Sequence, residues 1–277
     1  MIKIENIDID LPSTIECGQI FRYIKEENNS YTIILKDRVV NIKNEGNSLI
    51  IKSNNENDIE KVIRNYLDLD KNYDELNKEL LKNDESLKDI IDSCKGFKII
   101  NQDKFECTIS YILSANNGVP QIRNSLNLIS EKYGKKVNFE GKDYYLFPSP
   151  SNLEKVQIED YRNLKTGFRD KYLYEFVKKV NNKEFDLEKI NNMISQDAMD
   201  YLMTNKGIGE KVSSCILLFS YSRLDVFPID TWVKKFMKEK YNIEGVKNIK
   251  KFSLEKYGKY SGLIIQYMFH YKRNKEN

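Results

Sequence analysis

Residues 197–220 read DAMDYLMTNKGIGEKVSSCILLFS, which divides into a helix, a short glycine turn and a second helix. Apolar residues recur at helical spacing on both sides of the turn, which runs from Asn205 to Gly209. The glycines Gly207 and Gly209 permit backbone torsions that direct consecutive N–H groups to one side, at the amino end of the second helix. The turn therefore predicts either a phosphate-binding site or an ordinary hairpin between two helices.

Lys211 lies in the first turn of the second helix, four residues before Cys215, so the two side chains share one face. Its neighbours Val212, Ile216 and Phe219 are apolar, and we expect the lysine to line a cleft. Loss of water there would lower the pKa of the ammonium group and release an amine that can form a Schiff base. The alternative is a lysine that reaches past apolar surface to water or to a phosphate.

Asp230 ends the extended segment VFPID (226–230), directly before a helix that begins TWVKKFM. An aspartate at this position can cap the helix, and capping alone would account for it. Its carboxylate can also face the cleft that contains Lys211. There it would accept protons and stabilise the positive charge of a sugar as a base departs.

The composition excludes several classes of protein. The chain has 277 residues and a net charge of +3, which allows one to three domains and is too balanced for a polybasic nucleic-acid arm. The charged opening MIKIENIDIDLPS does not resemble a signal peptide, and no run of about 18 apolar residues spans a membrane. Four widely spaced cysteines and one histidine lack the spacing of metal or iron–sulfur ligands, so we expect no metal and no cofactor.

The spacing of apolar residues predicts an α+β fold. Residues 1–97 contain short β-branched runs, YTIILKDRVVNIKNE and NSLIIKSN, which indicate an antiparallel sheet, followed by the helical pattern NDIEKVIRNYLDLD. In residues 98–277 the strand signals fade, and segments such as KFECTISYILSANN have helical spacing. We therefore predict an N-terminal α+β domain over 1–97 and an all-helical domain over 98–277.

The hairpin and the following Pro-x-Asp resemble the helix–hairpin–helix and Gly/Pro…Asp motif of the DNA glycosylase superfamily, in particular its 8-oxoguanine branch. Four further segments are similar to that branch. CGQIFRY (17–23) is similar to its S-G-Q-x-F-R-W, and LSANN (113–117) to its S-S-N-N. GFRDKYL (167–173) is similar to G-Y-R-A-R-Y, and YSGLIIQYMFHYKR (260–273) to A-G-x-A-Q-x-x-L-F. The resemblance implies two helical lobes in residues 98–277, with the active site between them near residues 205–230.

The resemblance also implies catalytic and base-binding roles. Lys211 would be the nucleophile that attacks the sugar C1′, and Asp230 the catalytic carboxylate. Cys215 and Phe269 would contact the two faces of the flipped base. The backbone carbonyl of Gly18 would accept the proton on N7, which 8-oxoguanine carries and guanine lacks.

Further implied roles concern the duplex. Asn116 would fill the gap left by the flipped base, assisted by Phe168 and Arg169. Lys206 and the amides of Gly207 and Gly209 would bind DNA phosphates. The expected partner is double-stranded DNA that contains oxidised guanine, bound by a monomer in the cytoplasm with the nucleoid and without membrane contact.

Departures from the family pattern leave several points open. Gln121 stands where the family has an arginine, and Phe168 where it usually has a tyrosine. Both positions serve the base opposite the lesion, so the preference for cytosine there is open. Trp232 replaces a phosphate-contacting histidine of some relatives, and Ile265 stands at the position of a base-contacting glutamine, one residue before Gln266.

Four functions are compatible with these motifs. The first is a bifunctional 8-oxoguanine glycosylase and abasic-site lyase, for which Lys211 is the distinguishing residue. A monofunctional relative that removes alkylated purines would keep Asp230 and lack the lysine. A relative that removes thymine glycol or mispaired adenine commonly has an iron–sulfur cluster after the aspartate, and no cysteine follows Cys215. The last alternative is a non-catalytic module that uses the hairpin to bind DNA.

Overall fold

The computed structural model describes residues 1–276 of the chain, with side chains to residue 273. The N-terminal part contains a five-stranded antiparallel sheet in the order β1-β5-β4-β3-β2. The strands are β1 (Ile2–Glu5), β2 (Tyr23–Lys25), β3 (Tyr31–Ile34), β4 (Val39–Glu45) and β5 (Ser48–Ser53). The predicted antiparallel sheet is confirmed.

One face of the sheet is apolar because buried residues face each other across neighbouring strands. Ile42 of β4 pairs with Tyr31 of β3 and with Ile51 of β5, and all three side chains are buried. Two helices, α1 (Leu11–Ile15) and α2 (Ile59–Tyr66), belong to the same hydrophobic cluster. This cluster is separate from the one that surrounds the site described below.

Eleven further α-helices follow in the described chain. They are α3 (Tyr73–Asn83), α4 (Lys88–Asp92), α5 (Lys104–Ser114), α6 (Val119–Tyr133), α7 (Ile158–Asn163), α8 (Asp170–Asn181), α9 (Ser195–Met203), α10 (Glu210–Ser220), α11 (Thr231–Tyr241), α12 (Val246–Tyr257) and α13 (Ser261–Glu276). Helix α10 is central, since every side chain from Val212 to Ser220 is buried, and it packs against α5 and α9.

Helices α3 and α4 precede residue 98, yet their buried side chains share the core of the later helices. Leu80 of α3 and Ile90 and Ile91 of α4 belong to the hydrophobic cluster that also contains α5, α10 and α13. Residues that precede the predicted boundary therefore already pack into the core of the helical part. The boundary between residues 97 and 98 stays a prediction.

The all-helical prediction for residues 98–277 misses a β-hairpin. Strands β6 (Lys136–Phe139) and β7 (Lys142–Tyr145) pair in antiparallel fashion around a turn at Glu140 and Gly141, both with positive φ. Each strand has only four residues, too few for a clear alternating pattern. Phe139 packs with Val39 of the large sheet, so the hairpin connects the helical part to the sheet. No helix within residues 1–276 is long and apolar enough to cross a membrane.

The glycines at the two ends of α6 provide a matched test of this packing. A Cβ on Gly134 would lie 1.9 Å from the carbonyl oxygen of Leu146, whereas a Cβ on Gly118 would meet only the movable end of Gln121. We expect Gly134→Ala to lower the free energy of unfolding by about 2 kcal/mol or more. We expect Gly118→Ala to lower it by less than about 1 kcal/mol. Urea unfolding measures both, and equal losses would contradict the tight contact at Gly134.

Candidate active site

The glycine turn joins α9 to α10, as the sequence predicts. Gly207 has φ +87, and a Cβ there would lie 2.7 Å from the ring of Tyr172, so glycine is required for both torsion and space. Gly209 has an ordinary φ of −102 and is the N-cap of α10. The buried side chain of Ile208 anchors the turn between them. Only Gly207 therefore has a torsion that requires glycine. At Gly209 the absence of a side chain leaves the amino end of α10 open.

The amino end of α10 is accessible to an anion. No side chain of the described residues caps this helix, and no atom lies within 4 Å of a Cβ built on Gly209. The nearby Lys206 is exposed and forms an ion pair of 3.3 Å with Glu175. Glu210, the first residue of the helix, opposes anion binding but lies 4.0 Å from Lys250. The helix end is thus compatible with the predicted phosphate contact, which stays a prediction.

Lys211 and Asp230 line one cavity of about 210 Å³, although they are 19 positions apart in sequence. The Nζ of Lys211 lies 5.6 Å from the centroid of the Tyr111 ring. Tyr111 itself stacks on Phe219 and meets the edge of Phe21, both at 5.6 Å between ring centroids. The amine is therefore held against an aromatic wall, where a cation–π contact contributes to its position. Lys211 also lines a neighbouring cavity of about 390 Å³, to which Asp230 does not contribute, and a cavity of about 340 Å³ contains neither residue.

Asp230 both caps a helix and lines the cavity, which are the two roles that its position in the sequence allows. Its Oδ1 accepts a hydrogen bond of 2.8 Å from the amide of Val233 and so caps α11. The cap uses one carboxylate oxygen, and the residue also lines the cavity with Lys211. The hydrogen bond fixes the direction of the carboxylate at the cavity wall.

Cys215 lies one helical turn beyond Lys211 and is 4% exposed. Burial raises the pKa of its thiol to about 11; the nearby Lys211 ammonium opposes this rise, and the Asp230 carboxylate adds to it. Both charged groups therefore act on the sulfur atom. At neutral pH the thiol remains protonated and presents a polarisable, uncharged surface to the cavity.

Phe269 of α13 lines the same cavity as Cys215. Its ring meets Trp232 edge-on at 5.0 Å between centroids, and Trp232 stacks on Phe236 at 5.4 Å. Ile265 and Gln266 also line the cavity, with Ile265 nearly fully buried and Gln266 partly exposed. The structure thus brings both residues of the predicted base sandwich to one cavity.

Gly18 reaches this cavity from the turn between α1 and β2. Its φ is +94, which an L-residue rarely adopts, and no atom lies within 4 Å of a Cβ built there. Glycine is therefore required by the torsion rather than by lack of space. The main chain can consequently lie at the cavity wall with no side chain between it and a ligand.

Asn116, Phe168 and Arg169 lie on two loops that meet beside α5 and α8. Asn116 is exposed with φ +51, and Phe168 is 59% exposed, as a residue that enters a DNA duplex must be. Arg169 is different because it is 5% exposed. Its Nε donates to the carbonyl of Ala115 at 2.8 Å, and its Nη2 donates to those of Ala115 and Asn116. The Arg169 guanidinium therefore joins the two loops, and its direct DNA contact stays a prediction.

Three residues of the site were not singled out from the sequence. Tyr111 and Phe21 line the cavity, and Gln19 lies directly behind it. Tyr111 is the aromatic residue of the helical segment CTISYIL, and a buried tyrosine needs a partner for its hydroxyl group, a signal that sequence analysis could have used. Gln19 lies in the quoted CGQIFRY segment, but its contacts are remote in sequence.

Comparisons with known proteins agree with the order of these motifs. A family model described as the N-terminal domain of 8-oxoguanine DNA glycosylase matches residues 1–108. The chain is similar to the apo-form of Clostridium acetobutylicum 8-oxoguanine glycosylase/lyase, at 39% identity over 97% of this chain and 95% of that one, with a TM-score of 0.93. In complex with double-stranded DNA that contains cytosine opposite 8-oxoG, the same bacterium's enzyme aligns at 38% identity over 99% of this chain and 94% of that one, with a TM-score of 0.92.

A curated relative extends the likeness beyond bacteria. The N-glycosylase/DNA lyase of Saccharomyces cerevisiae is 27% identical over 276 residues, which cover 89% of this chain and 72% of the yeast protein.

Proposed function

The chain belongs to the 8-oxoguanine DNA glycosylase family, and we propose that it excises 8-oxoguanine from duplex DNA and then cleaves the abasic site. The observation that carries this proposal is the position of Lys211 and Asp230 on the wall of one cavity. Gly18, Cys215 and Phe269 line the same cavity. An amine, a carboxylate and a base-binding surface are the groups that such a reaction requires.

Access to the glycosidic bond requires that the damaged nucleotide leaves the base stack, which costs a few kcal/mol. The exposed Phe168 and Asn116 are suited to fill the gap in the duplex. The open amino end of α10, with Lys206 beside it, would hold the backbone phosphates. Such a substrate places the protein in the cytoplasm with the nucleoid.

Recognition of the flipped base rests on three groups. The ring of Phe269 and the neutral thiol of Cys215 would contact its two faces. The carbonyl of Gly18 would accept the N7 proton of 8-oxoguanine. Guanine has no proton at N7 and would place its own acceptor against this carbonyl, which disfavours it strongly.

Catalysis then proceeds through the Lys211 amine. The Lys211 ammonium first loses a proton to solvent. The Nζ lone pair then attacks C1′, the bond between C1′ and N9 breaks, and its electron pair leaves with the base. The Asp230 carboxylate stabilises the positive charge that develops on the sugar and accepts a proton from the attacking amine. Asp230 gives this proton to O4′ as the bond between C1′ and O4′ breaks, which opens the ring and leaves a protonated Schiff base between Lys211 and C1′. The carboxylate then accepts a proton from C2′, and the electron pair of that C–H bond expels the 3′ phosphate. Water hydrolyses the imine and restores the amine.

Borohydride trapping tests the nucleophile, because it reduces the Schiff base to a stable covalent adduct. We expect the wild-type protein to form an adduct with duplex DNA that contains 8-oxoguanine, and Lys211→Gln to form none. The matched control is Lys250→Gln, which removes a partly exposed lysine of the neighbouring cavity. Adduct formation by Lys211→Gln would contradict the assignment. Duplex binding by the wild type without any adduct would favour the non-catalytic module.

We also propose that the base opposite the lesion has little influence on excision. Every nitrogen of the Arg169 guanidinium donates to a main-chain carbonyl. The guanidinium therefore has no free pair of parallel N–H groups to donate to cytosine. Gln121 is exposed and carries a neutral amide, which can donate or accept and therefore does not select one base.

This proposal is tested by excision rates with each of the four bases opposite 8-oxoguanine. We expect the four single-turnover rates to differ by less than about tenfold, since no bidentate contact worth 1–3 kcal/mol is present. Gln121→Arg should raise the preference for cytosine several-fold, because it adds a cationic fork beside the gap. Gln196→Arg adds the same charge on α9 and should leave the ratios unchanged. A wild-type preference for cytosine above 100-fold would refute weak selection.

A further inference from the structure

Gln19 is a completely buried amide directly behind the candidate active site. Its Nε2 donates to the carbonyls of Thr14 and Lys98, at 3.1 and 2.8 Å. Its Oε1 accepts a hydrogen bond of 2.9 Å from the amide of Ile100. The side chain therefore uses two donors and one acceptor to join the turn after α1 to the segment before α5.

The main chain of Gln19 is held as well. Its carbonyl oxygen accepts hydrogen bonds from Nε2 of Gln102 at 2.9 Å and from the hydroxyl of Tyr111 at 3.2 Å. We call these five hydrogen bonds the Gln19 clamp. The Tyr111 ring that donates to the clamp is also the ring that faces the Nζ of Lys211.

Gly18 has no comparable restraint of its own. It lacks a side chain, its φ is +94, and nothing lies within 4 Å of a Cβ built there. Its carbonyl belongs to the planar peptide unit that ends in the amide of Gln19. The direction of that carbonyl is therefore set by the torsions on either side of this plane, and fixing Gln19 restricts one of them.

From this geometry we propose that Gln19 is a positioning residue for base recognition: the Gln19 clamp holds the Gly18 carbonyl in the direction that accepts the N7 proton of 8-oxoguanine. The inference rests on the proposed function. A hydrogen bond weakens steeply when its angle departs from linearity, so rotation of one peptide plane is enough to reduce discrimination.

Glutamine is the side chain that suits this position. Glutamate has no N–H to donate, and its charge would face two carbonyl oxygens. An apolar side chain of the same length would remove the bonds to the buried carbonyl of Lys98 and the buried amide of Ile100, and would leave the Thr14 carbonyl with the weak Cys17 thiol as donor. Loss of the amide should therefore release the turn while the apolar packing around it remains.

Two substrates separate positioning of the base from general damage to the enzyme. Duplex DNA with 8-oxoguanine requires the Gly18 carbonyl, whereas a duplex with a preformed abasic site has no base to recognise. Both require Lys211. The ratio of the two single-turnover rates therefore measures the effect of the clamp on base recognition. If Gln19 only stabilised the fold, its loss would lower both rates together.

The experiment compares Gln19→Met with Ser130→Ala. Ser130 is a matched control because its hydroxyl is also buried, and it donates a bond of 2.8 Å to the carbonyl of Leu126 within α6, outside the Gln19 clamp. We expect Gln19→Met to slow excision of 8-oxoguanine about tenfold or more, and abasic-site cleavage less than twofold. Ser130→Ala should leave the ratio of the two rates unchanged.

A binding measurement supports the kinetic one. In a Lys211→Gln background, which cannot react, we expect Gln19→Met to reduce about tenfold the preference for a duplex with 8-oxoguanine over one with guanine. Equal losses on both substrates, or an unchanged preference, would overturn the proposal. If circular dichroism shows that Gln19→Met does not fold, Gln102→Met replaces it. We expect Gln102→Met to slow 8-oxoguanine excision about threefold relative to abasic-site cleavage. An unchanged ratio in this variant would overturn the proposed role of the clamp.

Failure of the proposed function itself is distinguishable. A wild-type protein that neither excises 8-oxoguanine nor forms a borohydride adduct would remove the premise, whatever the variants do. A wild type that excises 8-oxoguanine, combined with an unchanged rate ratio in the variants, would remove only the clamp.

Discussion

Contact between the Lys211 amine and an aromatic wall is the constraint on which the rest of the site depends. The amine belongs to the first turn of a helix that is otherwise buried from Val212 to Ser220, so its backbone cannot move without disturbing the core. The Tyr111 ring holds it 5.6 Å away, in the cavity that Asp230 also lines. A long, flexible side chain thereby has a defined direction, which would lower the entropy lost in the proposed attack on a sugar carbon.

The fold separates the tasks of the enzyme among different elements. Helix α10 carries Lys211, the proposed nucleophile, and the cap of α11 fixes the carboxylate of Asp230. The turn that contains Gly18 lines another wall of the cavity. The buried side chain of Gln19 holds this turn by hydrogen bonds to Lys98 and Ile100. Exposed residues on the loops beside α5 and α8 face outward, and Arg169 joins these loops to each other. Each task therefore has a rigid support of its own.

Much of this arrangement is predictable from the sequence because it depends on local spacing. Helical periodicity places Lys211 and Cys215 on one face, and the glycines mark the turn before them. Asp230 before a helix predicts its cap. What could not be predicted depends on contacts between distant residues. The bonds from Arg169 to Ala115 and Asn116 span more than 50 residues, and no local pattern indicates that this arginine is buried. The support of Gln19 was missed for the same reason. Strands β6 and β7 were missed because four residues are too few for a clear alternating pattern.

Mass spectrometry of the borohydride-reduced adduct tests most directly whether this one amine is the nucleophile. The wild-type protein is trapped on duplex DNA with 8-oxoguanine, digested with nuclease and protease, and the peptide that carries the reduced sugar fragment is sequenced. We expect the added mass on the Nζ of Lys211 alone. An adduct on another lysine, or on the amino terminus, with Lys211 unmodified would contradict the account.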